Sequence, residues 1–369
     1  MCYPEIFQTV SFSEKKSAKP LILQGKESSE TTNQKVRTLD MEIRVLGAEE
    51  MSQALEMKSL IEEMKTAFLE LSSGRAKMPL RTRINLPEQE AVFLAMPAAL
   101  PEQKKLAVKM VSVFGNNPNL NLPLIHAVVT VFDATTGALS ALMDGEVLTA
   151  KRTGAGSGAA TDLLARDDSS QVAILGSGTQ ARTQLEAVCC VRNITKVRVF
   201  SPNSGHSQKF VDEMKGFPSV PQDLEAVDTP EEAVTDADII CAATTSSTPV
   251  LRYQDLKSGV HINGVGSFQP SMQEIDSETI KNALVFVDSR ESALSETGDL
   301  TIPIQEGIIG MNHLRAEIGE LLENPSLGRK TPDEITFFKS CGVAVQDVVA
   351  AGMALEQAKK HNLGRIIRM

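Results

Sequence analysis

The sequence predicts an α/β protein in which a doubly wound parallel sheet of the Rossmann type follows a separate α+β region. Three observations predict it. Five short, unbroken apolar runs lie between residues 172 and 289 with helical stretches between them, the pattern of strands buried on both faces. A glycine-rich turn comes directly after the first run. The pattern also changes near residue 150, and 369 residues exceed what one hydrophobic core usually supports.

Residues 1–40 are polar, rich in Ser, Lys, Glu and Gln, and without hydrophobic periodicity; they read as a disordered leader. The stretch lacks the apolar core of a secretory signal, and its glutamates and scarce arginines argue against a transit peptide. Met41 opens a strand. From 48 to 73, Met51, Leu55, Met57, Leu60, Ile61, Met64, Phe68 and Leu71 recur at helical spacing until Gly74. Strand-like segments follow at 92–97, 106–114 and 124–132, and Asp133–Gly137 forms a hairpin loop into 138–143. The second region carries its runs at 172–176, 197–201, 237–244, 261–266 and 283–289. Between them Thr229-Pro230-Glu231-Glu232 supplies a helix cap, a first-turn proline and acids that suit the helix dipole. The tail from about 336 to 361 reads as helix, with Gly364 beyond its end.

Composition excludes several functions. A net charge of -10 and the absence of Trp, with two Tyr, argue against nucleic acid, which needs surplus cations and stacking platforms. The five cysteines form no CxxC pair and the histidines are scattered, so no metal site is legible and a reducing, cytoplasmic compartment is expected. No apolar run approaches the roughly 18 residues of a membrane span. A soluble protein is expected.

The stretch Val172-Ala-Ile-Leu-Gly176-Ser-Gly178-Thr179-Gln180-Ala181 has the form of a dinucleotide fingerprint. Gly176 permits the tight turn, Gly178 lets backbone approach a pyrophosphate, and Ala181 is small where helix meets strand. At the end of the next strand, where NAD-binding domains usually place an acid for the ribose, stands Ser201-Pro202-Asn203-Ser204. Without a carboxylate to repel a 2′-phosphate, NADP(H) is favoured and NAD(H) stays open. His206 either assists there or is a solvated loop histidine.

Three cations stand apart in the first region. Lys109 lies within an apolar strand, costly to bury without a counter-charge, so it either meets a bound anion or snorkels from an edge. Arg152 precedes a Gly/Ala/Ser-rich segment read as a helix start, where free amides favour anions. Arg81 and Arg83 lie two positions apart in one strand-like segment and compete for one place, so one of them is expected to face a site.

The strings MPLRT, MDGEVLTAKRT, ILGSGTQA, NGVGSFQPSMQEID, ETGDL and FKSCGVAVQD, in this order, resemble the ornithine cyclodeaminase/mu-crystallin family from residue 41 to about 360. The resemblance implies a substrate-binding and dimerisation domain (41–160 plus 336–369) with the Rossmann domain (161–335) inserted, and a homodimer. It places Arg81, Lys109 and Arg152 on a substrate carboxylate, with Arg152 also against the cofactor. Gly178, Thr179 and Gln180 fall on the pyrophosphate, with Ser201, Pro202, Asn203 and His206 at the adenosine ribose. Thr244, Thr245 and Val265 would line the cofactor, with Glu296 and Ser340 near substrate or nicotinamide. Cyclodeaminases resemble one another in an Asp shortly after this VGG-like turn, where this chain has Phe268, and in a second acid whose place Leu94 takes. The expected activity is therefore reduction of a cyclic ketimine, 1-pyrroline-2-carboxylate to proline or 1-piperideine-2-carboxylate to pipecolate. Alanine dehydrogenation, opine-type coupling and a non-catalytic NADP-binding role remain as alternatives, and ornithine cyclisation is disfavoured by Phe268.

Overall fold

The computed structural model describes residues 41–369, so the expected leader lies outside the described residues. The first region contains β1 (Glu42–Leu46), α1 (Ala48–Ala54), α2 (Met57–Ser72), β2 (Thr82–Leu86), β3 (Ala91–Leu100), β4 (Lys105–Phe114), β5 (Ile125–Asp133), β6 (Leu139–Asp144) and α3 (Gly145–Leu164). The single helix expected over 48–73 is two, because Glu56 caps α2 by accepting from the amides of Lys58 and Ser59. The expected apolar stripe is nevertheless the buried one, from Met51 to Phe68. At the hairpin, Asp133 Oδ1 accepts from the amides of Thr135 and Thr136, an Asx turn that starts the reversal.

The second region runs β7 (Gln171–Leu175), α4 (Thr179–Val191), β8 (Lys196–Phe200), α5 (Ser204–Met214), β9 (Leu224–Ala226), α6 (Pro230–Val234), β10 (Ile239–Ala242) and β11 (His261–Gly264). It continues through α7 (Ser277–Asn282), β12 (Leu284–Val287), α8 (Arg290–Glu296), α9 (Gly298–Gln305), β13 (Leu314–Glu317), α10 (Ile318–Glu323) and β14 (Thr336–Lys339). The chain closes with α11 (Ala344–His361) and β15 (Arg365–Arg368).

Two sheets result. The first, in order β15-β1-β6-β5-β4-β3-β2, is mixed, with β1 parallel to β6 and the other pairs antiparallel. The second, in order β13-β12-β14-β11-β10-β7-β8-β9, is parallel throughout. Its strands bury both faces: Val172 and Ile174 point into one core, Ala173 and Leu175 into the other. The two regions share apolar packing, since Phe338 of β14 meets Phe68 of α2 edge to face at 6.3 Å.

Residues 336–339 were expected to begin the C-terminal helix but form β14, a fully buried strand between β11 and β12. The parallel sheet thus reaches past the expected boundary at 335. The segment Thr336-Phe-Phe-Lys339 is short and bulky, and it is decided by its two strand neighbours rather than by helical periodicity.

Candidate active site

Lys109 sits in the middle of β4, flanked by β3 and β5, and is only 2% exposed. It therefore does not snorkel. Its counter-charge is Asp347 in the first turn of α11, whose two carboxylate oxygens lie 3.0 and 2.9 Å from Nζ. Arg152 reaches the same carboxylate, Nε to Oδ1 at 3.0 Å, and donates from Nη1 to Gln346 Oε1 at 3.0 Å. Burial first, then the neighbouring Arg152, pull the Lys109 ammonium down to about 7, against the pull of Asp347. A lysine so tuned exchanges protons near neutrality.

The expected place of Arg152 is corrected. The helix α3 starts at Gly145, capped by Asp144, whose Oδ1 accepts from the Val147 amide. Arg152 lies well inside it, so what it offers a ligand is its guanidinium and not helix-end amides. Of the competing pair, Arg81 stands just before β2 and faces the site, while Arg83 lies within β2 and is exposed, bonded to Asn85. Arg81 Nη2 lies 2.8 Å from Glu296 Oε2 and donates to the Gly342 carbonyl at 3.1 Å. Burial pushes the Glu296 carboxyl up, opposed by Arg81.

These side chains come from five segments, β4, α11, α3, the residues before β2, and α8, and Arg81 and Arg152 both approach Gly342 in the turn 340–343 between β14 and α11. Asp288 holds that turn: its Oδ2 accepts from the amides of Cys341 and Gly342 at 2.8 and 2.7 Å. Beside it opens a cleft lined by Met78, Leu80, Arg81, Met96, Glu296 and Val343. Phe268 is 51% exposed, while Leu94 packs against the core on β3. Sequence reasoning missed Asp347, Gln346 and Asp288. The signal for Asp347 was the bare Lys109 itself, a buried cation that required an acid somewhere in the chain.

The dinucleotide fingerprint lies at the carboxyl edge of the parallel sheet. Gly176 adopts φ +103, and a Cβ there would fall 2.5 Å from the Ala243 carbonyl, so glycine is required. Gly178 caps the 13-residue α4 without a side-chain bond, and a Cβ there would meet nothing within 4 Å, so the first-turn amides that follow it, of Thr179 and Gln180, have no capping side chain. Gln180 Oε1 and Ser340 Oγ are buried without a hydrogen-bond partner among the described residues. The donor set and the open cradle fit a pyrophosphate. Ser201 and Pro202 follow β8, and Asn203 caps α5 by accepting from the His206 amide at 3.2 Å; Asn203 and His206 are exposed. Thr244 and Thr245 follow β10, and Val265 follows β11 with its amide bonded to the Ala242 carbonyl at 2.9 Å. The strand order switches between β7 and β10, with β8 and β9 added on one side of β7 and β10 and β11 on the other, the kind of switch point where such sheets bind ligands.

Among the described residues no helix is long and apolar enough to cross a membrane, and Cys189, Cys190, Cys241 and Cys341 are free. The family model described as "Ornithine cyclodeaminase/mu-crystallin family" matches residues 41–362. A Delta(1)-pyrroline-2-carboxylate reductase from Bacillus cereus is 37% identical over 88% of this chain and 99% of its own. The ketimine reductase mu-crystallin of Mus musculus is 34% identical over 84% of this chain and 96% of its own. Among solved structures, the Thermococcus litoralis Delta(1)-pyrroline-2-carboxylate reductase in complex with NADH and L-proline superposes with a TM-score of 0.84, at 41% identity over 88% of this chain and 100% of its own. An archaeal alanine dehydrogenase dimer with bound NAD gives 0.82, at 33% identity over 89% and 99%.

Proposed function

The chain belongs to the ornithine cyclodeaminase/mu-crystallin family, and on that premise we propose that it is an NAD(P)H-dependent reductase of cyclic ketimines, taking 1-pyrroline-2-carboxylate to proline or 1-piperideine-2-carboxylate to pipecolate. The observation that carries this reading is the cluster of Arg81, Lys109 and Arg152, with Lys109 buried and tuned toward neutrality. Relatives named for this reaction are 37–41% identical to the chain.

Arg81 and Arg152 hold the substrate carboxylate through charge-assisted bonds and so orient the α-carbon. Glu296 keeps Arg81 at the cleft and completes the substrate pocket. Lys109 gives a proton to the imine nitrogen, and Asp347 keeps that lysine in place and charged. Bound at the glycine loop, the nicotinamide cofactor supplies the hydride. Gly176, Gly178, Thr179 and Gln180 hold its pyrophosphate, and Ser201, Pro202, Asn203 and His206 its adenosine ribose; Thr244, Thr245, Val265 and Ser340 flank the remainder. We assign NADP(H) as the preferred form, with NAD(H) also accepted, because the loop after β8 offers hydroxyls and an amide and no carboxylate. Phe268 in place of an acid argues against ornithine cyclisation, since Phe neither exchanges a proton nor holds an ammonium.

We also assign a homodimer, built through the first sheet. Ile84 of β2, Ile125 of β5 and the adjoining Leu122 and Leu124 expose apolar side chains at one end of that sheet, more than a monomer's scattered surface residues explain. The free thiols suit a reducing cytoplasm.

The test is a matrix of NADH and NADPH against pyrroline-2-carboxylate, piperideine-2-carboxylate, and pyruvate with ammonia or amines. Highest kcat/KM on a cyclic ketimine supports the reading. Preference for pyruvate and ammonia would make the chain an alanine dehydrogenase, preference for pyruvate and a larger amine an opine-type enzyme. Tight cofactor binding with no turnover would make it a binding protein.

A further inference from the structure

Behind the ends of β10, β11 and β14 lies a buried ionic cluster that the substrate site does not use. The Glu274 side chain is fully buried. Its Oε1 accepts from the Thr244 amide at 2.6 Å, and its Oε2 accepts from the amides of Gly266 at 2.5 Å and Ser267 at 3.0 Å. One carboxylate therefore ties the loop after β10 to the loop after β11. These loops are in backbone contact: a Cβ on Gly266 would lie 2.0 Å from the Thr244 carbonyl oxygen. Glu274 is fixed in turn by Asp299, whose Oδ1 accepts from the amides of Glu274 and Ile275 at 2.7 and 3.2 Å. The other oxygen of Asp299 meets Lys339 Nζ of β14 at 3.0 Å, with both side chains fully buried.

Burying two carboxylates and an ammonium stabilises a fold little compared with apolar residues of the same volume. What such a cluster does supply is fixed geometry, here for three strand ends that are neighbours in the sheet. The sheet order says what those ends face. The glycine loop follows β7, and the loop with Ser201 and Asn203 follows β8 on one side of it. The ends of β10, β11 and β14 lie on the other side. A dinucleotide with its pyrophosphate on the glycine loop and its adenosine toward β8 extends its nicotinamide half over β10, β11 and β14.

We propose that Glu274 is a positioning residue for the nicotinamide half of the dinucleotide, its carboxylate locking the loops at Thr244 and Gly266–Ser267 into one rigid wall. The inference rests on the dinucleotide reading of the glycine loop. Glu274→Gln tests it, because an amide offers one acceptor oxygen and turns an NH₂ toward an N–H that needs an acceptor. Glu274→Asp keeps the charge and shortens the reach by one methylene, a second variant should the first fold poorly.

Titrating full-length wild type and both variants calorimetrically with NADH, NADPH and ADP-ribose, which lacks the nicotinamide, separates positioning from general damage. The expected result is a loss of NADH and NADPH affinity of about tenfold or more, with ADP-ribose affinity held within about twofold. Amide exchange should also quicken at 244–248 and 265–268. Equal losses on all three ligands, or none, overturn the inference while leaving the dinucleotide reading intact. A wild-type chain that binds none of the three overturns both.

Discussion

Lys109 and Asp347 are 238 positions apart in sequence, yet they form an ion pair of 2.9 Å in which the side chains are 2% and 1% exposed. Asp347 is also the carboxylate that Arg152 reaches, so one acid balances two cations of the substrate cluster. Asp347→Asn keeps the shape and removes the charge. Lys109, already drawn down by burial and Arg152, then falls further, and the alkaline limb of kcat/KM moves to lower pH. The variant should also lose about 3 kcal/mol of stability, the usual scale for breaking a buried pair from one side. The part due to Lys109 is largest below about pH 7, where the lysine is charged, and shrinks above it. Denaturant melts at two pH values and a pH–rate profile check both.

Lys109→Met should lower kcat for ketimine reduction by about a hundredfold or more with little change in KM, since Arg81 and Arg152 still hold the carboxylate. On the proposed mechanism reduction needs the protonated lysine, so wild-type kcat/KM should fall as pH rises through about 7. The reverse oxidation needs the neutral lysine and rises through the same range. A bound substrate carboxylate adds negative charge beside Lys109, so the limb in kcat lies at higher pH than that in kcat/KM. A defect in KM alone would make Lys109 an anion clamp and not a proton donor.

Arg81→Gln removes a guanidinium that faces the cleft and also frees Glu296. The loss of a charge-assisted carboxylate contact should lower kcat/KM by about 10- to 100-fold, mostly through KM. Arg83→Gln, one strand position pair away and exposed, serves as the control and should leave both constants unchanged.

Asn203→Asp probes the cofactor preference. Aspartate caps a helix as well as asparagine does, so the bond to the His206 amide and the start of α5 survive. The new carboxylate repels a 2′-phosphate and accepts from a 2′-hydroxyl, so the ratio of kcat/KM for NADPH to that for NADH should drop by about tenfold or more. An unchanged ratio would move the ribose elsewhere.

Ile84→Asp places a charge in the exposed apolar end of the first sheet, where Ile84 is 51% exposed. Light scattering should show the proposed homodimer shifting to monomer at micromolar concentration, with the monomer still folded. A dimer that persists would assign the interface to another face.

Local features are legible in the chain order alone: the buried runs of the parallel sheet, the glycine turn with Gly176 and Gly178, the Thr229 cap, and Arg81, Lys109 and Arg152 as cations out of place in apolar surroundings. Each of these is written in a short window, as periodicity, turn chemistry or a charge where none is cheap to bury. What meets across long separations is settled by the folded arrangement. It put Thr336–Lys339 in the sheet between β11 and β12 and not in a helix. It moved Arg152 from a helix start to a helix interior. It also supplied the acids that answer the cations, Asp347 for Lys109 and Asp299 for Lys339. Asp347, Glu274, Asp299 and Lys339 all lie within motifs visible in the sequence, yet in a linear reading they are ordinary surface charges. Burial turns them into obligatory partners, because a charge removed from water must be paired and the partner is chosen by proximity in space, which chain order does not record.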